Sequence, residues 1–193
     1  MALTFDDGPD PDGTPPVLDA LDAAGLKATF FVVGDQLSRH HALAREAKAR
    51  GHQLALHGAG HPRHVELSPQ AARDEVARGI GAFEVSVGER PRLFRPPYGR
   101  FSEHSYEACR KLGLTPVYWS AWGLDWEPIP AGRIADLVLS DLEPGAIVVL
   151  HDSAHYAPRA DCAATVESIA LIAAAAEERG LPLGPVGDPP QGG

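Results

Sequence analysis

Thr4-Phe5-Asp6-Asp7-Gly8-Pro9 joins a short apolar run to a turn and places two carboxylates side by side. Adjacent ionised carboxylates repel one another, and this repulsion costs stability unless a cation or hydrogen-bond donors offset it. The simplest explanation is an ordinary turn, because Asp, Gly and Pro are common turn residues. The alternative is that the rest of the chain brings partners to the pair.

Length and composition set the class of protein. The chain has 193 residues, of which 44% are hydrophobic and 22% charged, and its formal net charge is -9. These values fit one soluble globular domain, and the negative charge argues against a nucleic-acid partner. No apolar run approaches the ~18 residues that cross a bilayer. Because no signal peptide begins the chain, we expect a cytoplasmic protein or an extracellular protein whose leader has been removed.

Strand-like and helical patterns alternate along the chain. Six runs of β-forming residues predict strands, and a short seventh is expected at 181–183; the six are 2–5, 28–33, 53–56, 92–94, 115–119 and 146–150. Helices between the strands predict parallel βα units, arranged either as an open doubly wound sheet or as a closed or nearly closed barrel.

The organisation is that of one domain. We expect a single domain over residues 1–183 and a loose tail over 184–193, which is rich in Gly and Pro. Cys109 and Cys162 fall in helical patterns without metal-type spacing. They are expected to be buried, unpaired residues, with a disulfide as the alternative.

Unusual polar residues follow the ends of the predicted strands. They are Asp6 and Asp7 after the first strand, His57 and His61 after the third, Arg95 after the fourth, Asp125 after the fifth and His151 after the sixth. In parallel βα folds these ends meet at one face, where barrel active sites are assembled. No Gly-x-Gly-x-x-Gly follows the first strand, which disfavours a dinucleotide-binding sheet. The pattern therefore favours an α/β barrel with its active site at the C-terminal ends of the strands.

His57-Gly58-Ala59-Gly60-His61 contains a candidate pair of metal ligands. Neutral imidazole is a favoured ligand of zinc and neighbouring metals. Two histidines and one carboxylate leave coordination positions open for water and substrate, as metal-assisted hydrolysis requires. Among the nine histidines of the chain, we expect His64 and the pair His40 and His41 to lie on the surface.

Five ordered motifs resemble those of the NodB-type polysaccharide deacetylases, carbohydrate esterase family four. They are Thr4-Phe5-Asp6-Asp7-Gly8-Pro9, His57-x-x-x-His61-Pro62, Arg95-Pro96-Pro97-Tyr98-Gly99, Asp125-Trp126 and Leu150-His151-Asp152. The resemblance implies a distorted (β/α)7-type barrel. It also implies a hydrolase that removes acetyl groups, N-acetyl in preference to O-acetyl, from a carbohydrate such as chitooligosaccharide, peptidoglycan or acetylxylan. One divalent metal is implied, zinc foremost, with cobalt or nickel as alternatives.

The resemblance also implies a role for each site residue. The metal ligands are Asp7, His57 and His61. The catalytic residues are Asp6 as the base that acts on a metal-activated water, Arg95 as its partner, His151 as the acid and Asp125 as the group that orients the acid. The oxyanion and substrate residues are Tyr98, through its backbone amide, with Trp126 and Leu150 as apolar walls. These roles agree with elementary electrostatics, since a permanent Arg charge keeps a carboxylate ionised and a carboxylate raises the pKa of a bonded histidine.

Two positions depart from the family pattern. Gly58 stands where relatives usually have Ser or Thr, so we expect a less rigid loop between the histidines. Trp122 replaces an acidic residue, and we expect it to reshape the substrate groove; Trp119, by contrast, is expected in the core. Two alternative functions remain compatible with the sequence: hydrolysis of a small cyclic amide or ureide within the same superfamily, and binding of glycans without catalysis.

Overall fold

The computed structural model describes residues 1–188. Within that range there are seven strands: β1 (Ala2–Asp6), β2 (Thr29–Val32), β3 (Gln53–Leu56), β4 (Leu93–Phe94), β5 (Thr115–Pro116), β6 (Ala121–Trp122) and β7 (Ile147–His151). The same range contains six α-helices: α1 (Thr14–Ala23), α2 (Gly34–Ala49), α3 (Pro69–Val87), α4 (Glu103–Lys111), α5 (Ala131–Ser140) and α6 (Ala163–Glu178).

The strands form one parallel sheet in the order β5-β4-β3-β2-β1-β7-β6. The helices pack beside one another on its outer side in the matching order α4-α3-α2-α1-α6-α5. The sheet curls into an incomplete barrel whose two edges are β5 and β6. The predicted fold class, a distorted (β/α) barrel, is confirmed.

Two strand predictions are wrong. Residues 115–119 do not form one strand: β5 pairs with β4, whereas the next strand, β6, pairs with β7 at the opposite edge. Residues 117–120 therefore cross the gap between the two edges, and a hydrogen-bonded strand cannot continue across it. The expected strand at 181–183 is absent from the described chain, where only an isolated bridge joins Ala2 to Gly184.

Alternation along the strands separates two sets of side chains, because successive residues of a strand point to opposite faces. Outward-facing residues such as Phe5, Phe30 and Leu150 pack under the helices in the main core. The lower interior of the barrel is filled by a small buried cluster of Phe31, Ala55, Leu93 and Val117. The upper interior carries polar residues, which leaves the carboxyl ends of the strands for chemistry.

Residues 184–188 are attached to the sheet, in contrast to the loose tail expected from 184 onwards. Leu3 N–H donates to the Gly184 carbonyl at 2.9 Å, and Val186 N–H donates to the Thr29 hydroxyl at 2.9 Å. The rest of the expected tail, 189–193, lies outside the described residues. None of the helices in residues 1–188 combines the length and apolar composition needed to cross a bilayer.

The two cysteines and His64 are all buried in the structure. Cys109 and Cys162 are buried and unpaired, as predicted, and burial raises the pKa of each thiol to about 12. The expectation that His64 lies on the surface is wrong: it is fully buried, with ring centroids 5.8 Å from Phe94 and 6.5 Å from Phe101. Burial lowers the pKa of His64 to about 4, so the ring is neutral at pH 7.

Phe30→Ala tests the main core. The Phe30 ring is 1% exposed and stacks on Phe5 with centroids 5.2 Å apart. We expect the free energy of unfolding to fall by about 3 to 5 kcal/mol, because the substitution removes apolar contacts and leaves a cavity. Urea unfolding measures the change. Val85→Ala, at a side chain that is 82% exposed, is the control and should stay within about 0.5 kcal/mol of the wild type.

Candidate active site

Asp7, His57 and His61 bring metal-type ligand atoms together at the top of the barrel. One ligand atom from each lies within 4.8 Å of the others. The distance from Asp7 Oδ1 is 3.4 Å to His57 Nε2 and 3.2 Å to His61 Nε2. The three ligand atoms are therefore close enough to share a single metal ion.

The state of these three residues fits a bound cation. His57 Nδ1–H donates to the Arg95 carbonyl at 2.8 Å, which leaves the Nε2 lone pair directed towards Asp7. Asp7 Oδ1 is buried and has no hydrogen-bond partner among residues 1–188. A buried carboxylate oxygen without a donor is costly, and a metal ion would satisfy it. Two nitrogens and one carboxylate oxygen are a donor set typical of catalytic zinc.

Asp6 is held by a different partner. Arg95 Nη1 donates to Asp6 Oδ1 at 2.6 Å and to the Thr4 hydroxyl at 2.8 Å. Its Nη2 donates to the carbonyl of Tyr118 at 3.3 Å, on the segment that crosses the barrel gap. The Arg95 side chain is fully buried, and its guanidinium carbon lies 4.0 Å from the centre of the Phe31 ring. Asp6 Oδ1 is therefore bound by Arg95, whereas the second oxygen, Oδ2, lies 3.9 Å from His57 Nε2.

Asp125 and His151 form a second ion pair across the site. His151 Nδ1–H donates to Asp125 Oδ1 at 2.8 Å, and the backbone N–H of His151 donates to Oδ2 at 2.9 Å. Burial alone would lower the pKa of His151, but the charge and the hydrogen bond of Asp125, together with the charges of Asp7 and Asp6, outweigh it and raise the pKa to about 9. Sheet register places His151 directly opposite Asp6. A carboxylate and a protonated imidazole therefore face the same space.

Asp125 has further partners that sequence reasoning missed. The Thr165 hydroxyl donates to Asp125 Oδ2 at 2.8 Å, and Arg159 Nη1 donates to the same oxygen at 3.2 Å. Arg159 Nη2 also donates to the carbonyl of His151 at 2.9 Å. Arg159 lies in an irregular loop and Thr165 inside α6, so neither strand ends nor motif spacing gave a signal for them.

The metal-type cluster and the two ion pairs, Asp6–Arg95 and Asp125–His151, surround one cleft of about 330 Å³. Seven of the ten residues that were given a role in the site line it: Asp6, Asp7, His57, His61, Tyr98, Trp126 and His151. Arg95 and Asp125 lie behind this lining and contact the cleft residues rather than the space itself.

Leu150 does not line the cleft, so its assignment as an apolar wall is wrong. Its side chain is buried in the main core, under the helices. Neighbouring residues of β7 point to opposite faces, and the inward-pointing residue that lines the cleft is Val149. A shift of one residue along the strand accounts for the error.

Aromatic side chains form much of the wall. The five that line the cleft are Tyr98, Trp119, Trp122, Trp126 and Tyr156. Trp119 was expected in the core, but it belongs to the segment that crosses the barrel gap and faces the cleft. Tyr156 stacks on His61 with ring centroids 4.1 Å apart and planes at 11°, and it lies in a loop without a predictable pattern.

Backbone geometry is unusual at two of the site residues. Asp7 has φ 82° and Tyr98 has φ 59°, in the left-handed region that non-glycine residues rarely adopt. The turn after Asp7 is held by Asp152, whose carboxylate accepts from Gly8 N–H at 3.1 Å and from the Thr14 hydroxyl at 2.6 Å. Burial raises the pKa of Asp152 to about 7. Such strain persists where surrounding contacts enforce it, which is common at functional sites.

Known proteins share both the sequence and this fold. Residues 1–117 match the polysaccharide deacetylase family. The chitooligosaccharide deacetylase of Bradyrhizobium sp. (strain ANU 289) is 35% identical over 191 residues, which cover 95% of this chain and 87% of that protein. The peptidoglycan-N-acetylglucosamine deacetylase PgdA of Listeria monocytogenes serotype 1/2a (strain 10403S) is 36% identical over 152 residues, which cover 79% of this chain but only 32% of that protein.

Solved structures of deacetylases and esterases of this family have a similar fold. A family 4 acetyl xylan esterase from Clostridium thermocellum, in complex with a cobalt ion, matches 96% of this chain and 87% of its own with a TM-score of 0.85 and 30% identity. The matches in sequence and in fold agree with the five ordered motifs. The chain belongs to the polysaccharide deacetylase family of hydrolytic enzymes.

Proposed function

We propose that the protein is a zinc-dependent deacetylase that removes N-acetyl groups from glucosamine-containing polymers or oligomers. The observation that carries the proposal is the meeting of three groups in one cleft: the Asp7, His57 and His61 cluster, the Asp6–Arg95 pair and the Asp125–His151 pair. The named substrates of the relatives, chitooligosaccharide and peptidoglycan N-acetylglucosamine, support an N-acetylated sugar as the substrate class.

The metal would be held by Asp7, His57 and His61. When bound, it would supply an activated water and polarise the acetyl carbonyl. Two imidazoles and one carboxylate favour zinc, and cobalt is an alternative because the Clostridium thermocellum relative contains it. Nickel is the third metal to be tested.

Asp6 would act as the general base. Its carboxylate takes the proton from the attacking water as the oxygen bonds to the acetyl carbon. Arg95 keeps this carboxylate in place by a hydrogen bond to one of its oxygens. The backbone N–H of Tyr98 would donate to the carbonyl oxygen, where negative charge develops.

His151 would act as the general acid. As the carbon–nitrogen bond breaks, the nitrogen of the sugar needs a proton, because an amide anion is a very poor leaving group. A histidine whose pKa is raised to about 9 carries that proton at neutral pH. Acetate and a free amine are then the products. An acetyl ester has a better leaving group, so this acid is of greater value for N-acetyl than for O-acetyl substrates.

The direct test is release of acetate by protein loaded with zinc, cobalt or nickel, on chitooligosaccharides, peptidoglycan fragments and acetylated xylan. We expect release from the N-acetylated substrates, loss of release after treatment with a chelator, and recovery on adding zinc. No release from any of them, with any of the metals, would contradict the proposal.

Asn variants of the acidic pair should fail in different ways. We expect Asp7→Asn to lose bound metal, because it removes an anionic ligand. Asp6→Asn should keep about one metal ion and lose about 10²-fold to 10⁴-fold in rate, because it removes the base. Metal content by mass spectrometry and acetate release measure the two effects. Asp12→Asn, at an exposed position after the same strand, is the control and should change neither.

Asp125→Asn should lower the pKa of His151 from its raised value of about 9, because burial is then opposed only by the charges of Asp7 and Asp6. NMR titration of the metal-free protein measures the pKa of the ring, and exposed Asp136→Asn on α5 is the control. The raised pKa also stabilises the folded state fully below pH 6.5, and this contribution is lost as pH rises through about 9. An unchanged His151 titration in Asp125→Asn would exclude the pairing.

Trp122 is the proposed sugar-stacking residue of this chain. It is 43% exposed, lines the cleft and contacts Trp126 edge to face at 5.8 Å. We expect Trp122→Ala to raise KM for chitooligosaccharides about fivefold to tenfold with kcat nearly unchanged, because an aromatic contact of about 1 to 1.4 kcal/mol is lost. Tyr106→Ala, at an aromatic residue that is 41% exposed outside the cleft, should leave KM unchanged. Equal KM values for Trp122→Ala and the wild type would exclude stacking.

A further inference from the structure

We propose that Glu75, in the middle of α3, is a positioning residue for the ligands His57 and His61. This inference rests on the metal site of the proposed function. The Glu75 side chain is buried, with 4% of the residue exposed, and its Oε1 accepts from the backbone N–H of Gly60 at 2.7 Å. Gly60 directly precedes His61, so this bond fixes the Ala59–Gly60 peptide, one residue before the ligand.

The Glu75 carboxylate occupies space that a side chain at position 58 would need. Gly58 has φ +100°, a conformation that residues with a Cβ rarely adopt. A Cβ placed there would lie 3.2 Å from Glu75 Oε1 and 3.1 Å from the carbonyl oxygen of Gly60. A Ser or Thr at this position would therefore crowd the Glu75–Gly60 bond. Gly58 therefore leaves room for the Glu75 carboxylate. The loop is held by this side chain from α3, and not by the hydroxyl of a Ser or Thr at position 58.

The remaining contacts of the loop show what Glu75 adds. The start of α2 holds two carbonyls: Gly34 N–H donates to the Gly58 carbonyl at 2.9 Å, and Asp35 N–H donates to the Ala59 carbonyl at 2.7 Å. On the other side, a Cβ at Gly79 of α3 would lie 2.8 Å from the Gly58 carbonyl carbon, so helix and loop are in close contact. The loop expected to be less rigid is thus held on both sides. Glu75 supplies the hydrogen-bond acceptor for the backbone N–H of Gly60, the residue before His61.

The second carboxylate oxygen has a separate partner. Glu75 Oε2 accepts from Arg78 Nη2 at 2.6 Å, but the Arg78 side chain is 68% exposed. Because the guanidinium of this pair lies largely in solvent, we expect the ion pair to contribute little to holding the loop. The role in the loop therefore depends on the Oε1 acceptor, which a glutamine retains, and not on the negative charge.

Glu75→Met and Glu75→Gln separate these contributions. Methionine fills the volume and favours a helix but offers no carboxylate or amide oxygen, whereas glutamine keeps one. We expect Glu75→Met to weaken zinc binding about 10-fold to 100-fold, the range typical when a group that orients a ligand is removed. Glu75→Gln and Arg78→Ala should stay within about threefold of the wild type. Competition with a chromophoric chelator measures zinc affinity in each protein.

A second readout does not need the metal. Hydrogen exchange of the segment 57–61 in the metal-free proteins should be at least tenfold faster in Glu75→Met than in the wild type, and nearly unchanged in Glu75→Gln. Wild-type zinc affinity in Glu75→Met, or an equal loss in Glu75→Gln and Glu75→Met, would overturn the proposal. If Glu75→Met does not fold, Glu75→Ala replaces it. Absence of zinc binding in the wild type would overturn the proposed function instead, and the exchange rates would still test the contact with Gly60.

Discussion

The site depends on one buried charge, the guanidinium of Arg95. It is fully buried inside the barrel, against the ring of Phe31, and a cation there is stable only if an anion and acceptors surround it. Asp6 provides the anion, and the Thr4 hydroxyl and Tyr118 carbonyl provide further acceptors. Asp6 is thereby bound at one oxygen by Arg95. The neighbouring carboxylate, Asp7, is left to face the two imidazoles. Two adjacent acidic residues thus have separate partners and separate chemistry.

The same residue connects the site to the incomplete closure of the barrel. β5 and β6 are the free edges of the sheet, and residues 117–120 cross between them. Arg95 contacts this crossing segment at the Tyr118 carbonyl, and its guanidinium carbon lies 5.5 Å from the centre of the Trp119 ring. The crossing brings Trp119 to the cleft and leads into β6, after which Asp125 meets His151. The Asp6–Arg95 pair therefore contacts the segment that crosses the gap, and the Asp125–His151 pair includes a residue that follows this segment in the chain.

Much of the fold and most of the site follow from the sequence, because strand ends in a parallel barrel share one face. That rule brings Asp6, His57 and His151 together without knowledge of any distance. It is less reliable for single side chains. Strand alternation directs Val149, and not Leu150, into the cleft, but a run of uniformly apolar residues such as Ala-Ile-Val-Val-Leu does not reveal which face is inward.

The other residues that the sequence did not predict correctly lie in loops or inside helices, and not at the ends of strands. Arg159 and Tyr156 are in an irregular loop, and Glu75 is in the middle of a helix where an acidic residue normally faces solvent. Nothing in the local sequence of His64 indicates that its ring is buried against Phe94 and Phe101. Such positions depend on tertiary contacts between distant segments, which periodicity does not encode.

The central claim is that Asp7 binds the metal, whereas Asp6 is held by Arg95 and acts as the base. Anomalous diffraction at the zinc edge from crystals grown with zinc tests it most directly. We predict one strong peak at about 2.0 to 2.2 Å from Asp7, His57 and His61, the usual range for zinc bound to nitrogen and carboxylate oxygen. Asp6 should remain hydrogen-bonded to Arg95 and outside that range. A peak coordinated by Asp6, or a zinc ion bound without Asp7, would contradict the assignment.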